Sequence, residues 1–167
     1  MINKSLARIN LKLISNKSLK KAIPIYFCND TSDIKKYISS PNFKFLKAMG
    51  FDSVYGESII LSNNNGKIVA VILGLKKINK VYSKFFIGSR LSKLPKGIYY
   101  LKNIPKAEDI NELILGFYLS FYSFKDFDKE LKKVKNLLSP MLCMPSVRNL
   151  ENILYFTESE YIVRDLI

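Results

Sequence analysis

The stretch ESIILSNNNGKIVAVILGL, residues 57–75, carries the clearest folding signal in the chain. Two apolar segments flank Asn63-Asn64-Asn65-Gly66, and both Asn and Gly tolerate the positive φ angles that tight hairpin turns need. The second segment contains the continuous apolar run 68–73. A strand that is apolar on both faces belongs inside a sheet, where both faces are covered. The stretch therefore predicts a β-hairpin whose second strand is central.

One strand and two short helices are predicted before this hairpin. IPIYFCN (23–29) is typical of a buried strand, and residues 30–32 supply capping side chains for a helix through Ile38. Pro41 is expected to break that helix. The segment NFKFLKAMGF (42–51) then predicts a second short helix.

Helices and strands alternate after the hairpin. The patterns predict a helix over 80–93, a strand over 98–102, a helix over 107–124, a basic amphipathic segment over 127–138, a strand over 140–145 and a helix over 146–167. Strands that alternate with helices around an apolar hairpin indicate an α/β fold. We expect a mixed central sheet with helices on both faces, followed by a long C-terminal connecting helix.

The composition limits the class of protein. Apolar residues make up 48% of the 167 residues, which is too many for a disordered chain. The longest apolar run is far too short to cross a bilayer, so no membrane partner is expected. Cys28 and Cys143 form no C-x-x-C motif. Two buried, reduced thiols in a cytoplasmic protein are the preferred interpretation over a disulfide or a metal pair.

The net charge of +13 comes mainly from lysine, with 23 Lys and only 4 Arg. Proteins that grip phosphate or read bases favour the planar fork of Arg, which Lys lacks. The lysines are therefore interpreted as a solvated surface, with weak, non-specific and salt-sensitive affinity for nucleic acid. Residues 1–22 hold six basic residues and no acid. They predict a basic, loosely ordered lead-in, with a transit peptide or a membrane-surface helix as the alternatives.

The sequence lacks the common catalytic motifs. It has no His, which excludes a Ser-His-Asp triad, a Cys-His dyad and any His-liganded zinc. It also has no G-x-x-x-x-G-K-[ST] and no G-x-G-x-x-G after a strand. We therefore predict no catalytic, no cofactor-binding and no metal-binding residues in this chain.

Three weaker patterns have structural interpretations that we prefer. The 63–66 turn could present amides to an anion, but a plain hairpin turn explains it. Asp126 and Glu130 could share a cation, yet lysines surround them, which indicates a neutralised helix surface. Several aromatic residues could stack on bases, although their spacing is typical of core positions. These are Tyr99, Tyr100, Phe117, Tyr118, Phe121, Tyr122 and Phe124.

Four motifs in order resemble the amino-terminal region of the leucine aminopeptidase (cytosol aminopeptidase) family, in its compact bacterial branch. An apolar strand at 23–27 comes first, and Leu94-Pro95-Lys96-Gly97-Ile98-Tyr99 matches a Leu-Pro-x-Gly-x-Tyr strand entry. The helix 116–124 follows, and Arg164-Asp165-Leu166-Ile167 matches the start of Arg-Asp-Leu-Ile-Asn-x-Pro. Ser120-Phe121 departs from the family, where many members have a small residue. The resemblance covers about residues 23–167.

This resemblance implies a macro-domain-like amino-terminal domain over 23–145, with 146–167 leading toward a catalytic domain that these residues do not include. Family enzymes use two divalent metals, Zn or Mn, to activate water against a peptide carbonyl. The expected partners are the catalytic domain of the same polypeptide and its hexamer neighbours. Peptide substrate would bind only to the full-length enzyme, and this chain alone should be inactive.

Two functional hypotheses follow. The first is a non-catalytic amino-terminal domain of a cytoplasmic metal-dependent leucyl aminopeptidase, with a role in packing and assembly. The alternative is a free-standing binding module for nucleic acid or a nucleotide-like ligand. The charge of +13 favours the alternative, whereas the scarcity of Arg and the missing glycine-rich loop argue against it.

Overall fold

The structure is a computed structural model that describes residues 13–14, 21–76, 84–103, 108–121, 140–143 and 150–166. The chain divides into two compact units. The hairpin unit comprises residues 23–82 and 100–105, and the helical unit comprises residues 1–22, 83–99 and 106–167. Most of the predicted lead-in 1–22 and all of the basic segment 127–138 lie outside the described residues. The predicted domain boundaries stay a prediction.

Six strands and four α-helices are described. The strands are β1 (Leu13–Ile14), β2 (Ile23–Cys28), β3 (Ser58–Ser62), β4 (Ile68–Gly74), β5 (Ile98–Leu101) and β6 (Met141–Cys143). The helices are α1 (Ser40–Ala48), α2 (Lys84–Leu91), α3 (Glu108–Leu119) and α4 (Leu150–Leu166), and a 3₁₀ helix covers Thr31–Ile34.

The predicted hairpin is confirmed. Strands β3 and β4 pair antiparallel, with Ile60 opposite Val71 and a register shift after Leu61. The turn is held by the Asn63 side chain, whose Oδ1 accepts hydrogen bonds from the backbone N–H groups of Asn65 and Lys67. On its other side β4 pairs parallel with β2, so β4 lies between two strands as its apolar sequence predicted.

A continuous core lies beneath this part of the sheet. Its members come from β2, the 3₁₀ helix, α1 and the segment after it, and the hairpin. The buried residues are Tyr26, Cys28, Ile34, Leu46, Phe51, Leu61, Ala70 and Ile72.

The helix predicted through Ile38 is wrong in length and type. The observed 3₁₀ helix is four residues long and is capped by Asp30, whose side chain accepts from the backbone N–H of Ser32. Its continuation uses i to i−3 bonds, such as Tyr37 N–H to Ile34 O, which do not propagate an α-helix. Pro41 breaks no helix. It lies in the first turn of α1, where a missing N–H costs nothing.

In the helical unit, α2 packs against α3 at very short range. A Cβ atom built on Gly88 would lie 1.9 Å from Leu113 O, and one built on Gly116 would lie 2.0 Å from Phe85 O. The two backbones therefore touch at both glycines, which no larger residue permits.

Helix α4 contacts α3 through its inward side. The Tyr161 hydroxyl donates to the backbone carbonyl of Tyr118, and Leu154 and Thr157 are buried. Strands β1 and β6 pair parallel in the same unit, with Leu13 opposite Leu142. The predicted α/β fold class with a mixed sheet and a long last helix is confirmed. None of the helices in the described part of the chain has the length and hydropathy of a membrane span.

Candidate functional site

A cleft of about 220 Å³ opens in the hairpin unit where the strands end. Cys28 is the last residue of β2, Leu75 directly follows β4, and Asn103 comes shortly after β5. Ligands of open α/β sheets bind outside the carboxyl ends of such strands. We call this space the strand-end cleft. Its lining residues are Phe27, Cys28, Asn29, Asp33, Lys36, Tyr37, Leu75 and Asn103.

Asn103 fixes one side of the strand-end cleft. Its Oδ1 accepts from Phe27 N–H at 2.7 Å, and its Nδ2 donates to Phe27 O at 2.6 Å. The side-chain amide thus pairs with β2 as another strand's backbone would. The preceding residue continues the pattern, because Lys102 N–H donates to Ile25 O.

A second wall carries charged and aromatic side chains from the 3₁₀ helix and from the turn that follows it. Asp33 Oδ2 accepts from Asp30 N–H at 3.2 Å. The Lys36 ammonium lies 5.0 Å from the centroid of the Tyr37 ring, which stacks on Tyr26 with centroids 5.1 Å apart. This wall therefore offers one cation and one anion at an exposed edge.

Cys28 at the floor belongs to a buried hydroxyl–thiol network. Its Sγ lies 3.3 Å from Ser53 Oγ, which lies 3.0 Å from Thr31 Oγ1. Ser53 is fully buried and has a φ of 61°, a left-handed conformation that costs a non-glycine residue roughly 1–2 kcal/mol. Burial raises the pKa of the Cys28 thiol to about 11, although the Ser53 hydrogen bond opposes the shift.

This raised pKa predicts an unreactive thiol. Two pKa units above the ordinary value of 9.0, Cys28 at pH 8 holds about a hundredfold less thiolate, which is the reacting form. Burial also raises the pKa of the Cys143 thiol. We expect both cysteines of the native chain to react slowly with a chromogenic disulfide at pH 8, and quickly in denaturant. Fast labelling of the native chain would contradict this network.

The strand-end cleft was not predicted from the sequence. A signal for it exists, since Asn29 directly follows a buried strand and Asn103 follows another. Polar residues at strand ends mark such clefts in α/β proteins. The contact between Asn103 and Phe27, which fixes one side of the cleft, joins residues 76 positions apart. No local sequence pattern reveals such a contact.

Three of the five aromatic candidates for base stacking within the described residues are core residues. Tyr99, Phe117 and Tyr118 are each 1% exposed, so their rings are unavailable to a base. Phe121 packs edge-on against Phe117 with centroids 4.9 Å apart. Tyr122 and Phe124 lie outside the described residues.

Of the polar candidates, the structure describes the 63–66 turn. The 63–66 turn is an exposed hairpin turn whose Asn63 Oδ1 is used internally. Asp126 and Glu130 lie outside the described residues. Among the residues that the structure describes, no three His, Cys, Asp or Glu side chains are grouped to hold a metal ion.

Helix α4 exposes an apolar surface, which we call the α4 stripe. It consists of Tyr155, Phe156, Ile162 and Val163, which are 51–58% exposed. The spacing of seven residues between the first two and the last two places them along one side of the helix. Contiguous exposed apolar side chains of this kind are typical of interaction surfaces.

A family model for the M17 aminopeptidase N-terminal domain matches residues 30–140, which is more than half of the chain. It spans the 3₁₀ helix, α1, the hairpin, the α2–α3 pair and β5. No curated protein matches the sequence.

Solved structures share the fold. The cytosol aminopeptidase from Coxiella burnetii matches with a TM-score of 0.72 and 21% identity, over 92% of this chain and 32% of that chain. The bottromycin maturation enzyme BotP matches with a TM-score of 0.57 and 15% identity, over 87% of this chain and 32% of that enzyme. BotP in complex with Mn matches with a TM-score of 0.56 and 15% identity, over 87% of this chain and 31% of that one.

This chain thus spans about a third of the length of each of these enzymes. The matched segment 30–140 and the shared fold agree with the order of motifs in the sequence. The chain belongs to the M17 aminopeptidase N-terminal domain family.

Proposed function

We propose that this chain is the non-catalytic amino-terminal domain of a cytoplasmic, metal-dependent leucyl aminopeptidase, with a role in packing and assembly. The full-length enzyme would remove N-terminal residues from peptides. The family match over residues 30–140 is the observation that carries the proposal. Likeness to enzymes about three times as long supports it.

The metal chemistry belongs to other residues than those described here. M17 enzymes use two metal ions, which polarise a carbonyl and activate water. The described part of this chain offers no suitable group of carboxylate, thiol or imidazole side chains. These residues therefore do not fit a metal pair, and no catalytic step is assigned to them.

The α4 stripe supports the packing role. Burying one large apolar side chain stabilises an assembly by about 1.5–3 kcal/mol, so four half-exposed ones favour a covered state. In the full-length enzyme we propose that the catalytic domain or a neighbouring subunit covers Tyr155, Phe156, Ile162 and Val163.

The α4 stripe predicts self-association of the separate chain. We expect sedimentation velocity to show weight-average mass rising with protein concentration. The double substitution Phe156→Glu and Ile162→Lys should restore a monomer while changing the free energy of unfolding by less than about 1 kcal/mol, because both side chains are exposed.

A matched control is Phe45→Glu in α1, which is 48% exposed but lies in the other unit. It should leave self-association unchanged. Two results would contradict self-association through the α4 stripe. One is an unsubstituted chain that stays monomeric at high concentration, and the other is a doubly substituted chain that associates as strongly as the unsubstituted one.

A further inference from the structure

Strand β3 has one side of its backbone turned away from the sheet. It comes last in the order of the strands and, among the described strands, pairs with β4 alone. Across this pair Gly74 N–H donates to Glu57 O, and the direction of the backbone groups alternates along a strand. The residues whose N–H and C=O groups point outward are therefore Ser58, Ile60 and Ser62, and all three are exposed. We call this outward side the β3 edge.

The β3 edge lacks the features that normally prevent an edge strand from pairing with another chain. Such strands usually carry a charge, a Pro or a bulge. The β3 sequence, SIILS, has no charge and no Pro. The register shift in the hairpin leaves Val69 of β4 without a partner on β3, so the bulged strand is β4. The β3 edge can therefore accept a further strand.

The sequence of β3 is nearly symmetric, which indicates what that further strand is. Residues 58–62 have Ser at both ends and Ile60 at the centre. The two intermediate positions, Ile59 and Leu61, are both occupied by a branched aliphatic residue. An antiparallel pair with a two-fold axis at the central residue places each residue opposite one of its own kind. A second copy of β3 thus matches the edge at all five positions.

We propose that the β3 edge pairs antiparallel with the β3 edge of a second copy of this chain, about a two-fold axis at Ile60. Ile60 then lies opposite Ile60, and Ser58 lies opposite Ser62. Each of these pairs exchanges two backbone hydrogen bonds, because the groups point outward in both copies. The Ile60 side chains, which are 37% exposed, cover each other. Glu57 lies opposite Asn63, so no like charges face each other.

This pairing goes beyond the proposed function, because it would join two enzymes through their amino-terminal domains. It also uses a different surface from the α4 stripe, since β3 belongs to the hairpin unit and α4 to the helical unit. Pairing over five residues is a weak contact between separate chains. A disulfide accumulates from brief encounters, so disulfide trapping is a suitable test.

The trapping experiment is arranged so that the β3 edge alone is measured. All variants also carry the two α4-stripe substitutions, so association through the α4 stripe does not contribute. Cys28 and Cys143 are buried, so the introduced thiol is the one that reacts. Roughly 0.5 M NaCl screens the repulsion between copies that each carry a charge of +13.

Under a mild oxidant, Ile60→Cys should cross-link with itself. Opposing Cα atoms of a hydrogen-bonded antiparallel pair lie about 5.5 Å apart, a distance that a disulfide spans. Ser58→Cys is the matched control on the same strand. Its two copies would lie about 13 Å apart along the paired strands, so we expect its cross-linking to be at least about tenfold slower. A mixture of Ser58→Cys and Ser62→Cys should cross-link quickly, because these positions oppose each other.

Several results would overturn the proposal. Equal rates for Ile60→Cys and Ser58→Cys would indicate random collision or parallel pairing. A slow reaction of Ile60→Cys would show that another segment or another protein, and not a second copy, occupies the β3 edge. The mixture tests the same register without a change at Ile60, and a mixture no faster than Ser58→Cys alone would also be a contradiction. Peptidase activity is not measured, so the proposed function is tested separately.

Discussion

Replacing Gly88 with alanine should strongly destabilise the helical unit. The new Cβ would lie 1.9 Å from Leu113 O and 2.7 Å from Phe117 N, and both atoms belong to the backbone of α3. Backbone atoms cannot swing aside as a side chain can, so α2 and α3 must separate. Overpacking of a core costs about 1–3 kcal/mol and occasionally more, and we expect at least about 3 kcal/mol here. Such a loss is large against a total stability of roughly 5–15 kcal/mol.

Urea unfolding followed by circular dichroism measures this loss. Gly116→Ala should behave alike, because its Cβ would lie 2.0 Å from Phe85 O. Ser89→Ala is the matched control, since it adds a good helix former at the next, half-buried position of α2. Its midpoint should shift little. A Gly88→Ala midpoint equal to that of the control would contradict the close contact of the two helices.

Replacing Asn103 with leucine should cost about 3 kcal/mol. The substitution removes both hydrogen bonds to the backbone of Phe27, which is 3% exposed. The apolar leucine side chain would also keep water from replacing those hydrogen bonds. Each buried backbone group left without a partner costs about 1–3 kcal/mol. We expect a lower urea midpoint and loss of hydrogen-exchange protection at the Phe27 amide.

Asn64→Leu provides the matched control for this effect. Asn64 is exposed in the hairpin turn, and the described contacts of that turn come from Asn63. Its substitution should change stability by less than about 0.5 kcal/mol. If the Phe27 amide of the Asn103→Leu chain remained protected, the pairing between Asn103 and β2 would be wrong.

Local chemistry explains which parts of the fold the sequence predicted. The hairpin was predictable because Asn63 and Gly66 select its turn directly, and the apolar run 68–73 requires a central strand. The buried strand β6 and the long helix α4 likewise follow from short-range patterns. The 3₁₀ helix was mistaken for an α-helix because the capping residues at its start are the same for both.

Long-range contacts explain what remained hidden. The sequence does not indicate that Gly88 contacts the backbone of α3, because that contact depends on how the two helices cross. The strand-end cleft depends on the pairing of Asn103 with Phe27 across 76 positions. The candidate site was therefore not predicted, because its residues are far apart in the sequence. The family was recognised because each of its motifs is a contiguous stretch of sequence.

Hydrolysis of a leucyl anilide by the purified chain is the most direct test of the claim that this domain is non-catalytic. With Mn²⁺ or Zn²⁺ added, we predict no release of the aniline product above that seen with the metal ion alone. The reason is that the described residues include no cluster of metal-binding side chains. A rate that rises in proportion to the concentration of this chain, and follows it through each purification step, would contradict the account.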